Sequence, residues 1–179
     1  MSFFLVLVVA LFFSLIAQHF IPPLPWLHFA RVLLMPIVLF YGALAMPFAG
    51  MLALAFLAGF MWDALTAQIV DSNVEIAMGW SILLYVALGS IMSGFRPLFQ
   101  RGRWEVHCLL SGLLTSLIVL AEYLMISFRR GGLIFGPEIW WRIGGAGIIA
   151  LVLAPFAFFG LNSIAWLIGY RLRKDEEDV

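Results

Sequence analysis

The sequence predicts an all-α, polytopic integral membrane protein with six transmembrane helices in a single domain spanning residues 1–179. Three observations carry that expectation. Of the 179 residues, 64% are hydrophobic and 11% are charged, whereas soluble domains are near half apolar and about a quarter charged. Mean hydropathy is +1.08. The apolar residues fall into blocks of transmembrane length, and no polar segment between them exceeds roughly fifteen residues, so function is expected from the bundle and its short loops rather than from a soluble catalytic domain.

The blocks lie at 3–20, 30–46, 48–68, 76–94, 106–128 and 145–170. The first could pass for a signal peptide, but it lacks a basic start and five more apolar blocks follow, so a retained helix is expected. It ends at "HFIPPLPWLHFAR", where Pro22, Pro23 and Pro25 cannot continue a helix and Trp26 suits the headgroup region. Blocks two and three meet at Met46-Pro47 and must form a tight hairpin. Block four follows the acidic "IVDSNVE". Blocks four and five are joined by the basic "RPLFQRGRWE", and blocks five and six by "RRGGLIFGPEIWWRIGG". The glycines, Trp140, Trp141 and Arg142 of this last separator suit an interfacial segment at the outer surface, a support for a partner domain. Pro36 and Pro155 fall inside blocks two and six, where each removes a backbone hydrogen bond and is expected to kink its helix.

Six crossings put both termini on one side. With both inside, Arg96, Arg101, Arg103, Arg171, Arg173 and Lys174 face the cytoplasm and Arg31, Arg129, Arg130 and Arg142 face out, the bias that basic residues show toward cytoplasmic loops. Trp26, Trp62, Trp80, Trp140 and Trp141 then belong to the outer interface, and Trp104, Trp166 and Tyr170 to the inner one. Residues 171–179 form a short charged cytoplasmic tail. The arginines of "RPLFQRGRWE" read first as topology anchors, with contact to anionic membrane lipid or a cytoplasmic partner as the alternative. Net charge is zero, so no nucleic-acid footprint is indicated.

Two carboxylates interrupt apolar blocks. Asp63 lies about five residues from the end of block three and Glu122 about six from the end of block five, each on the order of 8–9 Å below its helix end. An ionised carboxylate there costs a few kcal/mol unless it is paired, snorkels or is protonated. Pairing of Asp63 or Glu122 with Arg31 or Arg142 is therefore expected, with snorkelling to water as the alternative. Catalysis finds no support. The context Gly59-Phe60-Met61-Trp62 before Asp63 is not that of an intramembrane aspartyl protease, Asp71 lies in a loop, and no Gly-x-Ser-Gly nucleophile is present. His107-Cys108 lacks the three or four ligands of a zinc site. His107 is expected at the membrane edge and Cys108 as a small buried hydrophobe. No cofactor or metal is expected.

Small residues point to close helix contacts. Ser81, Tyr85 and Gly89 recur at four-residue spacing on one face, with Gly79 and Gly94 nearby, and Gly59 shares a face with Asp63. Residues 54–99, "LAFLAGFMWDALTAQIVDSNVEIAMGWSILLYVALGSIMSGFRPLF", resemble the rod shape-determining MreD family. Gly59 and Asp63 match its Gly-x-x-x-Asp, Gly79 its helix-opening glycine, and Gly89, Gly94 and Arg96 its closing part. The last block "LVLAPFAFFGL" and the tail "RLRK" also fit. One departure is the ten-residue "AQIVDSNVEI" after the aspartate's helix.

The resemblance implies a non-enzymatic scaffold in the bacterial inner membrane that serves the cell-elongation machinery, cell-wall organisation and rod shape. Its implied partners are MreC and, through it, the peptidoglycan transglycosylase-transpeptidase pair and MreB. The family's fold is similar to the six-helix substrate-binding subunits of energy-coupling-factor transporters. A vitamin-type substrate-binding subunit is therefore the alternative, for which Asp63, Glu122, Trp62, Trp80 and Tyr123 would line a pocket.

Overall fold

In the computed structural model the described residues are 2–66, 69–70, 73–74, 79–101, 103–129, 131–132 and 136–170. The tail 171–179 lies outside them, as do Asp71 and Arg130. Four helices are long and apolar enough to cross a membrane: α1 (Ser2–Phe20), α3 (Phe48–Thr66), α6 (Glu105–Arg129) and α7 (Pro137–Leu167). Two shorter apolar helices, α2 (Met35–Ala45) and α4 (Trp80–Gly94), complete the bundle. A five-residue helix α5 (Arg96–Gln100) caps the lower end, and a single 3-10 turn covers Pro25–Leu27. Within the departure from the family pattern, β1 (Ile69–Val70) and β2 (Asn73–Val74) pair antiparallel as a minimal ribbon.

The bundle is inside-out relative to a soluble protein. Along α6, Leu109, Leu113 and Leu117 are exposed, while His107, Ser111 and Thr115 are fully buried. The large exposed apolar side chains of α1, α3 and α7, among them Phe13, Phe56, Phe60 and Phe156, make a similar outer coat. Such a surface is stable only against lipid, because in water an apolar patch of this size would associate.

At the centre lies α2, all eleven of whose residues are buried. Its length, about 16 Å at 1.5 Å per residue, is half a bilayer core. A short helix is tolerated at that depth because protein, not lipid, surrounds it and supplies partners for its ends. The Gln18 Oε1 accepts from the backbone N–H of Leu34 (2.9 Å) and Met35 (3.2 Å). At the other end the Tyr170 hydroxyl donates to the Ala45 carbonyl (3.0 Å), with its ring stacked on Phe3. Block two is thus helical only from Met35. Pro36 sits in the first turn, where its missing N–H interrupts nothing, and the expected kink at Pro36 is corrected accordingly. Pro155 does lie inside α7.

The remaining helices form two tight antiparallel pairs, α3 with α4 and α6 with α7, and α2 packs between them. Glycine makes both pairs possible. A Cβ on Gly59 would overlap the backbone of Ile82, and one on Gly147 would overlap Ser116 and stand 2.7 Å from the Gly112 carbonyl oxygen. The upper end is taken here as the end where α1 and α3 finish and α2 and α4 begin.

The last helix starts at Pro137, eight residues before the expected block, so "PEIWWRIG" is its first two turns rather than a separate interfacial segment. Its 31 residues run about 46 Å, well beyond a hydrocarbon core of about 30 Å. The extra turns pack on the loop before α2. The Arg142 Nε donates to the His28 carbonyl (3.3 Å), Trp141 stacks on His28, and Gly145 lets Ala30 approach.

Candidate functional site

The site is the polar cluster at the upper end, built from α3, α4, α6 and the lead-in to α2. Gly59 and Asp63 are one turn apart on the face of α3 that meets α4. Because Gly59 has no side chain, the α4 backbone comes against it at Ile82. That approach brings the start of α4 within reach of Asp63, whose Oδ2 accepts the Gly79 N–H at 2.6 Å. Gly79 has φ +102°, a left-handed conformation that suits glycine, and no neighbour crowds it. A carboxylate at a helix N-terminus is favoured by the helix dipole as well as by the hydrogen bond. Gly89 repeats the close approach lower on α4, where a Cβ would stand 3.0 Å from the Met51 sulfur.

Asp63 is 5% exposed, and its second oxygen, Oδ1, has no partner. Of the pairings expected of Asp63 or Glu122 with Arg31 or Arg142, those of Asp63 and of Arg142 give way to other partners: the Asp63 Oδ2 accepts the backbone N–H of Gly79, and Arg142 donates to the His28 carbonyl. Glu122, half-buried on α6, has the Trp62 side chain as hydrogen-bond donor and Arg31 and Asp63 as its charged neighbours. The Tyr85 hydroxyl, on the inner face of α4, is buried without a partner and lies within the fields of both Glu122 and Asp63. Trp62, expected at the interface, is instead buried inside the cluster.

The other expected residues fall elsewhere. Arg142, Trp140 and Trp141 are exposed at the start of α7. Cys108 packs with Ile37, Ala150 and Ala154. Among the described residues no group of three or more His, Cys, Asp or Glu is placed to hold a metal ion.

His107, expected at an edge, is fully buried inside the protein near the start of α6, with Tyr41 against it and Phe99 of α5 on the same Tyr41 ring. The His107 Nε2 lies 3.3 Å from the Ile37 carbonyl oxygen, so Nε2 carries the proton and Nδ1, which has no partner, is the bare nitrogen. The Tyr41 ring meets His107, Phe99 and Phe158 edge-on, closing an aromatic floor. Below it a groove of about 400 Å³ is lined by Ser93, Gly94, Arg96, Pro97 and Gln100.

Sequence reasoning missed Gln18, Tyr170, Gly112 and Gly147. Their only signals were a polar residue at the end of an apolar block, a tyrosine at the end of the last one that read as interfacial, and small residues in helices where small residues are common. The chain matches no protein-family model, no curated protein and no solved structure.

Proposed function

We propose that this chain is a non-enzymatic, multi-pass scaffold of the bacterial inner membrane, serving cell elongation by docking MreC and, through it, the peptidoglycan transglycosylase-transpeptidase pair and MreB. The observation that carries the reading is that Gly59, Asp63 and Gly79, the residues on which the resemblance to the MreD family rests, meet as one unit: a glycine contact, a carboxylate and a left-handed helix start. The apolar coat of the bundle and the exposed Trp140 and Trp141 offer surface to another protein's transmembrane helix and its outer domain. In this reading the chain crosses six times, α2 and α4 with their flanks supplying the two short crossings, and both termini face the cytoplasm.

The test is mild-detergent purification of the tagged protein from its native cells, with mass spectrometry of what coelutes. The expected result is recovery of MreC and the wall-synthesis enzymes, reduced when Trp140 and Trp141 are both changed to alanine at unchanged expression. Absence of MreC from every preparation overturns the reading. Single cysteines introduced at Trp26 and at Arg101 test the topology, and labelling of both from the same side refutes six crossings.

A second reading, a substrate-binding subunit of a vitamin-type transporter, is favoured by one specific observation: the unpartnered Asp63 Oδ1 and Tyr85 hydroxyl beside a half-exposed Glu122. Coelution of an energising ATPase module in place of MreC selects it.

A further inference from the structure

The lower end of the bundle carries an open site that plays no part in the Asp63 cluster. α4 ends at Gly94 and α5 begins at Arg96, so the chain turns at Phe95. Beside this turn lies the groove of about 400 Å³ lined by Ser93, Gly94, Arg96, Pro97 and Gln100. Its volume falls in the range of small-ligand sites. A Cβ built on Gly94 meets nothing within 4 Å, so the space in front of the glycine is empty.

The chemistry of the groove is cationic. Arg96 is half-exposed, and among the described residues it makes no hydrogen bond or ion pair. Its Nε is buried without a partner, so the terminal Nη groups are the donors left to a ligand. The Gln100 amide follows one turn later on α5. Ser93 adds no donor, since its hydroxyl donates to the Ser90 carbonyl (2.9 Å). The exposed Arg101 and Arg103 contribute two more positive charges nearby in the chain, against the one carboxylate of Glu105. A planar guanidinium suits the oxygens of a phosphate.

The apolar surroundings select the kind of phosphate. Phe95 and Leu98, which alternate with the groove residues along the chain, are exposed, as are Ile91, one turn before Phe95, and Trp104. A soluble anion gains nothing from such neighbours. A phospholipid does, because its phosphate stands directly on its acyl chains.

We propose that the groove at the α4–α5 turn binds the phosphate of an anionic phospholipid, held by the Arg96 guanidinium and the Gln100 amide, with the acyl chains against Ile91, Phe95 and Leu98. The assignment requires that the bundle stand in a membrane and does not depend on whether the chain is a scaffold or a transport subunit.

The experiment titrates the full-length protein, purified in a neutral detergent, with dioleoylphosphatidylglycerol, and native mass spectrometry counts the lipid molecules retained. Dioleoylphosphatidylcholine, with the same chains and no net charge, is the lipid control, and glycerol 1-phosphate supplies the phosphate without the chains. In parallel, exposure of Cys108, the chain's one thiol and buried in the fold, reports the unfolding midpoint. The expected result is that one phosphatidylglycerol is retained in preference to phosphatidylcholine and raises the midpoint. Arg96→Gln weakens its binding about tenfold and removes the rise, whereas Arg96→Lys restores part of both. Arg101→Gln, which removes an equal charge outside the groove, changes neither. Gln100→Met weakens binding less than Arg96→Gln, and it carries the comparison with Arg101→Gln if Arg96→Gln does not fold. Equal retention of the two lipids, no retention of either, or equal weakening by the groove variants and by Arg101→Gln overturns the proposal. Binding of glycerol 1-phosphate as tight as that of phosphatidylglycerol marks a site for soluble phosphate esters and refutes the lipid assignment.

Discussion

Replacing Gly59 with alanine tests the architecture of the α3–α4 pair at its tightest point. A Cβ at this position stands 2.6 Å from the Ile82 nitrogen, about 1 Å inside ordinary contact. The obstacle is backbone, so no side-chain rotation relieves it, and α4 has to move away by about that distance. The overpacking term is about 1–3 kcal/mol. The same movement stretches the 2.6 Å contact between the Gly79 N–H and the Asp63 Oδ2 past hydrogen-bonding range. Loss of a bond to a charged acceptor adds about 1.5–3 kcal/mol. The expected destabilisation is therefore about 2.5–6 kcal/mol, read as a lower temperature for Cys108 exposure to a thiol-reactive fluorophore. Gly94→Ala is the control: it ends the same helix, has nothing within 4 Å of its built Cβ, and is expected to be neutral or stabilising by up to about 1 kcal/mol. Because Gly59→Ala already breaks the Asp63 bond, Gly59→Ala combined with Asp63→Ala destabilises by less than the sum of the two. An unchanged midpoint for Gly59→Ala, or strict additivity in the double variant, refutes the reasoning.

Other perturbations separate the remaining contacts. Gln18→Leu leaves the N–H groups of Leu34 and Met35 unpaired in apolar surroundings and is expected to destabilise by about 2–5 kcal/mol; Gln18→Glu, which keeps the acceptor, lowers the same Cys108 midpoint less. Tyr170→Phe removes only the bond to Ala45 and keeps the stack on Phe3, so a loss of about 0.5–1.5 kcal/mol is expected, smaller than for Tyr170→Ala. Gly147→Ala is expected to loosen α6 from α7 at about 1–3 kcal/mol, and Ser116→Gly does not restore it, because the Gly112 carbonyl remains in the way. Asp63→Asn keeps an acceptor for Gly79 and removes the charge. It is expected to shift the unfolding midpoint far less than Asp63→Ala.

The long elements were legible because a helix that faces lipid announces itself by composition. α1, α3 and α6 begin and end within about two residues of the apolar blocks that predict them. α2 was misread because a helix surrounded by protein obeys no length rule, and the residues that terminate it are far away in the chain: Gln18 is 16 positions from Leu34, and Tyr170 is 125 positions from Ala45. The start of α7 was missed because Trp140, Trp141 and Arg142 have the composition of an interface whether they lie flat on it or stand on the end of a long helix. Within the site, Gly59 was placed on the face of Asp63 by its spacing, and Gly79 was joined to them through the resemblance to the MreD family. The expectation that Asp63 would find an arginine weighed charge against charge and overlooked the backbone N–H group at the start of α4. Glu122 was found by its charge alone. The role of Tyr85 was not found, since a tyrosine among aliphatic residues reads as core until Asp63 and Glu122 are placed beside it.

The two oxygens of Asp63 divide the demands that a buried charge has to meet. Oδ2 is committed to the fold: it ties the start of α4 to α3, and the Gly59 contact makes that tie short. Oδ1 contributes nothing to that tie and is buried without a hydrogen-bond partner. A carboxylate needed only to cap α4 could be replaced by a neutral acceptor, at a lower desolvation penalty. Asparagine supplies one at nearly the same volume. A full charge with one oxygen unused is therefore a worse solution for stability than its neutral isostere. Arg31 forms no hydrogen bond with Asp63. Asp63 thus has no compensating cation within hydrogen-bonding distance among the described residues.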